Sequence, residues 1–198
     1  MIYHFCNATF GQTFRVLAAE FSRRHEVPIT TVMTRSPGHE RNLETPAIVA
    51  DVNAPKFLER IAPGDHGIVT GFNQIFSQRA IDRFATLVNI HASLLPFYRG
   101  PAPTYSCIEY GEHTTGYTLH EITAKIDSGP ILYQAVLPID GERDPTALSR
   151  RIAIAAGPTF IHYLDHLRTG SPWEICVVDA GAVYVTPVGY RSFPPRDR

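Results

Sequence analysis

The sequence predicts an α/β fold, a Rossmann-like, mostly parallel twisted sheet with helices on both faces. Three observations predict it. Apolar runs of strand length alternate with stretches whose apolar residues recur at helical spacing, the pattern of consecutive strand–helix units. The breaks between these units fall at Pro- and Gly-containing loops, above all 34–47 and 96–103. The residues with the most chemistry cluster at the carboxyl end of one predicted strand, where open sheets of this kind place their ligands.

Each element follows from its residues. Ile2–Cys6 is an apolar run and reads as the first strand. After Asn7-Ala8-Thr9, the residues Phe10, Phe14, Leu17, Ala18 and Phe21 mark one face of an amphipathic helix. Ile29–Met33 is a second strand. The polar stretch 34–47, broken by Pro37, Gly38 and Pro46, reads as a loop. Pro55–Ile61 is a short helix, Gly67–Gly71 a third strand, Ser77–Phe84 a helix and Leu87–His91 a fourth strand. A Pro/Gly-rich loop spans Pro96–Pro103, followed by a helix near Thr104–Tyr110. Gly116–Ile122 and Pro130–Pro138 alternate enough to be antiparallel neighbours. Asp144–Leu167 is a long helix, capped by Asp144 ahead of Pro145 and expected to kink at Gly157-Pro158.

Composition sets bounds. With 198 residues, 44% hydrophobic and 19% charged, the chain is an ordinary globular protein with one sizeable core. We divide it into a main domain over 1–170 and an extension over 171–198 that packs on it or joins an interface; a homodimer is compatible with that. A net charge of −1 gives no electrostatic support to a nucleic-acid partner. No apolar run approaches the roughly 18 residues of a membrane span, and the N-terminus lacks the marks of a signal peptide. Cys6, Cys107 and Cys176 are too far apart for a disulfide framework or a zinc site, and all three are expected to be buried free thiols in a cytoplasmic protein. His162 and His166 lie four apart on a helix, but Tyr163 stands where a metalloprotease helix carries an acid, so an exposed face is expected rather than a metal site. The absence of G-x-G-x-x-G after the first strand argues against a nicotinamide enzyme.

The chemistry sits in two stretches. Asn89-Ile90-His91-Ala92-Ser93-Leu94-Leu95-Pro96 delivers an amide and an imidazole from a buried strand, and Lys125-Ile126-Asp127-Ser128-Gly129-Pro130 presents a carboxylate on a turn. Taken singly, an Asn or Asp at a strand end is most often a turn former and a His a packed group. An amide, an imidazole and a carboxylate together can handle one acyl group and one amine, without metal or nucleophilic serine.

These two stretches, with Tyr98-Arg99-Gly100-Pro101-Ala102-Pro103 and Gly116-Tyr117-Thr118-Leu119-His120 between them, resemble the 10-formyltetrahydrofolate-dependent formyltransferase family. The resemblance covers roughly residues 65–170 well, and 1–64 by element pattern only. It implies the formyltransferase fold, 10-formyltetrahydrofolate as formyl donor, no metal, and a catalytic set of Asn89, His91 and Asp127. Formyl transfer passes through a tetrahedral oxyanion, and one donor aimed at it lowers the barrier by roughly 3–4 kcal/mol. Asn89 can supply that donor. His91 can move the protons of amine and leaving group. Asp127 can orient His91, hold a relaying water or take the amine proton, and the sequence leaves these three open. His120 follows a strand near the site and reads mainly as a packed residue.

Asp127 must reach the formyl group, so Ala124–Pro130 is expected to wrap the pteridine, with Ala124, Ile126, Ser128 and Gly129 against the donor and Phe72 and Ile75 over its other side, Phe76 nearby. Thr9, Gly11, Ser93, Arg99 and Gly100 are the expected acceptor contacts, with the acceptor approaching near Asn7–Gln12. The first-strand loop lacks the Gly-Ser-Asn phosphate loop of the glycinamide-ribonucleotide branch. The methionyl-tRNA branch carries a further C-terminal barrel and a basic character, whereas this chain ends at Arg198 and is near neutral. The expected acceptor is therefore a small-molecule amine, such as a nucleotide-linked amino sugar or an amine of secondary metabolism. A hydrolase releasing formate from the same donor and a non-catalytic folate or nucleotide binder are the competing readings.

Overall fold

The computed structural model describes residues 1–7, 9–34 and 47–179, without the side chains of Thr9, Ala47 and Val49. Twelve elements follow in the order β1 (Ile2–Cys6), α1 (Thr9–His25), β2 (Ile29–Met33), β3 (Ala47–Val49), α2 (Pro55–Leu58), β4 (His66–Thr70), α3 (Gln78–Ile81), β5 (Thr86–His91), α4 (Pro103–Glu109), β6 (Thr114–Glu121), β7 (Ile131–Pro138) and α5 (Pro145–Thr169). The strands form one 7-stranded sheet in the order β3-β2-β1-β4-β5-β6-β7. From β3 through β5 every pairing is parallel, and β6 and β7 are added antiparallel.

Two apolar layers sandwich the sheet. Ile2, Ile68, Val88, Ile90 and Leu119 face α1 and α5, meeting Phe14, Ala18, Ile152 and Phe160. Tyr3, Phe5, Val69 and Leu87 face the other way, onto Phe57, Phe76, Ala80 and Phe84 around α2 and α3. Residues of successive parity thus point to opposite layers, which is the period-2 rule of strands. Each layer removes its large aromatic and branched side chains from water, the dominant favourable term in folding.

Two features, β3 and the exposure of Cys176, differ from expectation. β3 is a short strand at the end of the stretch read as loop; residues 35–46 of that loop lie outside the described residues. α5 runs unbroken through Pro158, capped by Asp144. Proline removes the N–H that the Ile154 carbonyl would accept, but Ile154 and Pro158 are both exposed, so water can satisfy that carbonyl. Cys6 and Cys107 are buried free thiols as expected, whereas Cys176 is exposed. Cys176 lies on a stretch that bridges Tyr133 beyond β7, at the margin of the sheet, with Gln134 N donating to Cys176 O and Cys176 N to Leu132 O. Trp173 packs on the first core from this same stretch.

Candidate active site

Strand parity builds the site. On β5, Leu87 points into the α2/α3 layer, so Asn89 and His91 leave the sheet on that same face, at its carboxyl end. Antiparallel pairing sets His120 of β6 directly opposite Asn89 and Thr118 opposite His91. Opposed residues share a face, so Asn89, His91 and His120 come together. The stretch between β6 and β7 then brings Asp127 over them.

Asp127 is the hub. Its Oδ2 accepts from the Gly100 backbone N–H at 2.8 Å and lies 3.6 Å from His91 Nδ1. Its Oδ1 lies 3.5 Å from His120 Nε2 and 3.5 Å from Asn89 Nδ2. The residue is held at φ 46°, the left-handed region that a non-glycine residue seldom occupies. Gly129 makes the turn feasible, because a Cβ there would sit 2.0 Å from the Glu121 carbonyl oxygen. Gly100, at φ 88°, lets the loop after β5 aim its N–H at the carboxylate.

Hydrogen bonds assign the protons. His120 Nδ1 lies 2.8 Å from the Glu121 carbonyl, so Nδ1 carries hydrogen and Nε2 accepts from the Asn89 amide at 3.1 Å. That contact turns the NH₂ of Asn89 toward the cleft, leaving its second hydrogen at the long 3.5 Å distance from Asp127. His91 Nε2 lies 2.8 Å from the Tyr98 carbonyl and donates to it, so Nδ1 of the neutral ring is the basic atom facing Asp127.

The electrostatics follow from burial and charge. Burial of His91 pushes its pKa below the ordinary histidine value; Asp127 and the Tyr98 carbonyl oppose this, and His120 adds to it. Burial alone would raise the pKa of Asp127, but His91, His120 and the Gly100 N–H together hold it well below the usual carboxylate range. At neutral pH the site is therefore a neutral imidazole beside a carboxylate. Such a pair can accept a proton at Nδ1 and stabilise the resulting imidazolium.

The loop leaving β5 is anchored in the core. Thr118 Oγ1 accepts from Leu95 N and donates to Ser93 O, while Gln134 Nε2 donates to Leu95 O and to Thr118 Oγ1. All four residues are buried, so this network fixes the chain leading into the cis Leu95-Pro96 bond.

The cluster forms one wall of a cavity of about 620 Å³, within the usual size of small-molecule sites. Asn89, His91, His120 and Asp127 line it together with Phe72, Ile75 and Ile126. Ile75 and Ile126 are 66% and 45% exposed, apolar side chains presented to the cleft rather than packed away. Phe72 and Phe76 also line it, with Phe76 buried against Phe5. Ala124, Ser128 and Gly129 shape the loop without lining the cavity; the Ser128 hydroxyl donates to the Ile126 carbonyl.

The expected acceptor contacts are placed as follows. Gly11 is buried, with Cys6 and the Thr70 carbonyl where a side chain would stand. Ser93 is fully buried and donates to the Phe97 carbonyl at 3.0 Å. Arg99 lies outside the cavity lining, with a buried Nε that finds no partner among the described residues. Gly100 serves Asp127. Thr9 begins α1, but its side chain lies outside the described residues. His120, undervalued in the sequence, contacts both Asn89 and Asp127; the signal that could have found it was the antiparallel pairing of its strand with β5. Among the described residues no group of three His, Cys, Asp or Glu side chains is arranged to hold a metal ion.

A Rossmann-like sheet thus carries an amide, a neutral imidazole and a paired carboxylate together on one wall of a cleft. The comparisons make this specific. The model of the formyl transferase family matches residues 22–164, and the chain belongs to that family. A methionyl-tRNA formyltransferase of Roseiflexus castenholzii is 37% identical over 131 residues, 65% of this chain and 39% of that protein. One from Anaplasma marginale is 30% identical over 164 residues, 82% of this chain and 53% of that protein. The chain thus spans about half or less of the length of these relatives. Solved structures agree on the fold. The phosphoribosylglycinamide formyltransferase of Anaplasma phagocytophilum has a TM-score of 0.71 at 18% identity, covering 90% of this chain and 97% of that one. A sugar N-formyltransferase from Shewanella sp FDAARGOS_354 has a TM-score of 0.67 at 19% identity, covering 90% and 74%.

Proposed function

We propose that this chain transfers a formyl group from 10-formyltetrahydrofolate to the amine of a small-molecule acceptor. The observation that carries the reading is the convergence of Asn89, His91 and Asp127 on one wall of a cavity whose mouth presents Ile75 and Ile126. The family membership supports the reaction class.

The residues fit such a donor. Ile75, Ile126 and Phe72 offer apolar surface to a flat ring, and the backbone of Ala124–Pro130 offers polar groups at its edge. The folate supplies an activated formyl group when bound. Asn89 turns its second amide hydrogen from the long contact with Asp127 to the formyl oxygen, where negative charge develops, and His120 holds the amide in orientation. His91 Nδ1 takes the proton of the attacking amine, and Asp127 stabilises the imidazolium so formed. His91 returns this proton to the departing nitrogen. Gly100 keeps Asp127 turned toward the histidine throughout. The 1–170 segment acts as the catalytic domain, with 171–198 as an extension.

For the acceptor, two observations favour a small amine over a polyanion, and nucleotide-linked amino sugars and amines of secondary metabolism are the candidates to test. The net charge is −1, and among the described residues lining the cavity there is no Lys or Arg to seat a polyanion. The test is incubation of the protein with 10-formyltetrahydrofolate and a panel of amines, methionyl-tRNA included, read by mass spectrometry. A formylated small amine supports the reading. Formylation of methionyl-tRNA alone would overturn the acceptor class, and formate release without any formylated amine would favour a hydrolase.

A further inference from the structure

We propose that Glu112 is a positioning residue for His91, acting through the phenol and the main-chain carbonyl of Tyr98. The inference rests on the reading of His91 as the proton-transfer group. Glu112 follows α4, outside the cleft, and is 6% exposed. A carboxylate buried that far costs free energy unless it is paired. Its partner is the Tyr98 hydroxyl, which donates to Glu112 Oε1. Glu112 is itself fixed, because its backbone N–H donates to the Cys107 carbonyl at 3.0 Å.

Tyr98 connects this anchor to the site. Its backbone sits at φ 55°, a left-handed conformation that an aromatic residue holds only where its surroundings impose it. In that conformation its carbonyl accepts from His91 Nε2 at 2.8 Å, and the Ser93 hydroxyl reaches the same oxygen at 3.5 Å. The ring packs beside Tyr110, centroids 6.1 Å apart. Tyr98 is thus pinned at its ring tip by Glu112, along its ring by Tyr110, and at its carbonyl by His91. The carbonyl selects the tautomer with hydrogen on Nε2, leaving Nδ1 as the base. If the phenol is released from Glu112, one of the anchors of the left-handed backbone is lost, and the carbonyl can swing away from Nε2.

The groups facing His91 are the Asp127 carboxylate from the β6–β7 segment, His120 from β6 and the Tyr98 carbonyl from the loop after β5. Of these, Asp127 and the carbonyl favour the protonated ring. Loss of the carbonyl should therefore lower the pKa at which His91 takes its proton, a change that general loosening of the fold would not produce.

The test compares E112A, Y98F and the double variant with the parent and with E112Q, in which the side-chain carbonyl can still accept from the phenol. We expect kcat to fall on the order of 10–100-fold in E112A and Y98F, the cost of a misplaced reacting group, with KM for the donor little changed. The double variant should be no worse than either single one, E112Q should keep most of the activity, and the acid limb of kcat/KM should move to lower pH in the impaired variants. Additive losses, or an unmoved pH profile in Y98F, would overturn the proposal. If E112A does not fold, Y98F and E112Q decide alone: parental kcat in Y98F, or loss in E112Q equal to that in Y98F, overturns it. Parallel measurement of H91A separates the two levels, since unchanged turnover in H91A refutes the proton-transfer reading itself, whereas an inactive H91A beside a fully active Y98F refutes only the role of Glu112.

Discussion

Replacing Asp127 with Asn keeps the shape of the hub and removes its charge. Opposite unit charges at the 3.6 Å separating Asp127 Oδ2 from His91 Nδ1 attract by about 5 kcal/mol at an effective dielectric of about 20. The Asp127 side chain is 13% exposed, so solvent screens part of this, leaving a loss of roughly 3–4 kcal/mol in the stabilisation of the imidazolium. Such a loss is worth on the order of 10²–10³ in kcat. The amide must also either turn its oxygen to the Gly100 N–H or lose that bond, so Asp127→Asn keeps the loop only in one of its two orientations. The expected outcome is a fall in kcat of this size, KM for the formyl donor within a few-fold of the parent, and a thermal midpoint little changed. Without the carboxylate the pKa of His91 drops further, so residual activity should persist to lower pH than in the parent. Turnover of formylated amine, followed by mass spectrometry at saturating donor, measures the effect. A kcat within about threefold of the parent would show that the carboxylate does not stabilise a charge formed in the reaction.

Asn89→Ala removes the amide that we propose meets the formyl oxygen and should lower kcat by roughly 10²–10³ with little change in donor KM; a purely KM effect would assign Asn89 to binding instead. The acid limb of kcat/KM in the parent should lie below about 6.5, the ordinary histidine value, because burial lowers the pKa of His91; a midpoint above that value would contradict a neutral base. Ile75→Ser with Ile126→Ser should raise KM for the donor roughly 10-fold or more by removing apolar contact area, and equal KM values would place the pteridine elsewhere. His4, fully buried beside Phe160, has its pKa held down to about 3. Above about 6.5 neither folded nor unfolded His4 is charged; below it only the unfolded chain takes the proton, so stability should fall by up to about 1.4 kcal/mol per pH unit until the folded group also titrates. Chemical denaturation of the parent and of His4→Phe across pH 4–7 would check this, and parallel pH slopes would refute it.

How much of this was legible in the sequence depended on how local each feature is. The strand–helix alternation, the antiparallel pair β6–β7 and the cap of α5 at Asp144 follow from short-range patterns, and the structure has them. β3 is a three-residue strand paired with β2, and its apolar run Ala47-Ile48-Val49-Ala50 is too short to mark a strand on its own. The exposure of Cys176 is likewise set by a stretch lying at the margin of the sheet beyond β7, whereas its apolar neighbours in sequence suggest a buried thiol. At the site, Asn89, His91 and Asp127 stood out as chemistry-bearing residues at predicted element ends, and the geometry brings them together. His120 did not stand out, because its place beside Asn89 depends on strand register across residues far apart in the chain. The left-handed conformation of Tyr98 is similarly invisible, since an aromatic residue does not advertise a positive φ, and that of Asp127 is only weakly suggested by its residue type.

The central claim is that the cleft wall of Asn89, His91 and Asp127 moves a formyl group onto an amine. The most direct measurement is mass-spectrometric detection of acceptor formylation from 10-formyltetrahydrofolate across an amine panel, run in parallel with the parent protein and His91→Ala. The account predicts at least one amine that gains a single formyl group with the parent protein, with the rate reduced roughly 10²–10⁴-fold in His91→Ala. Formyl transfer that proceeds equally well without the imidazole, or donor consumption that yields only formate at every amine tested, would contradict it.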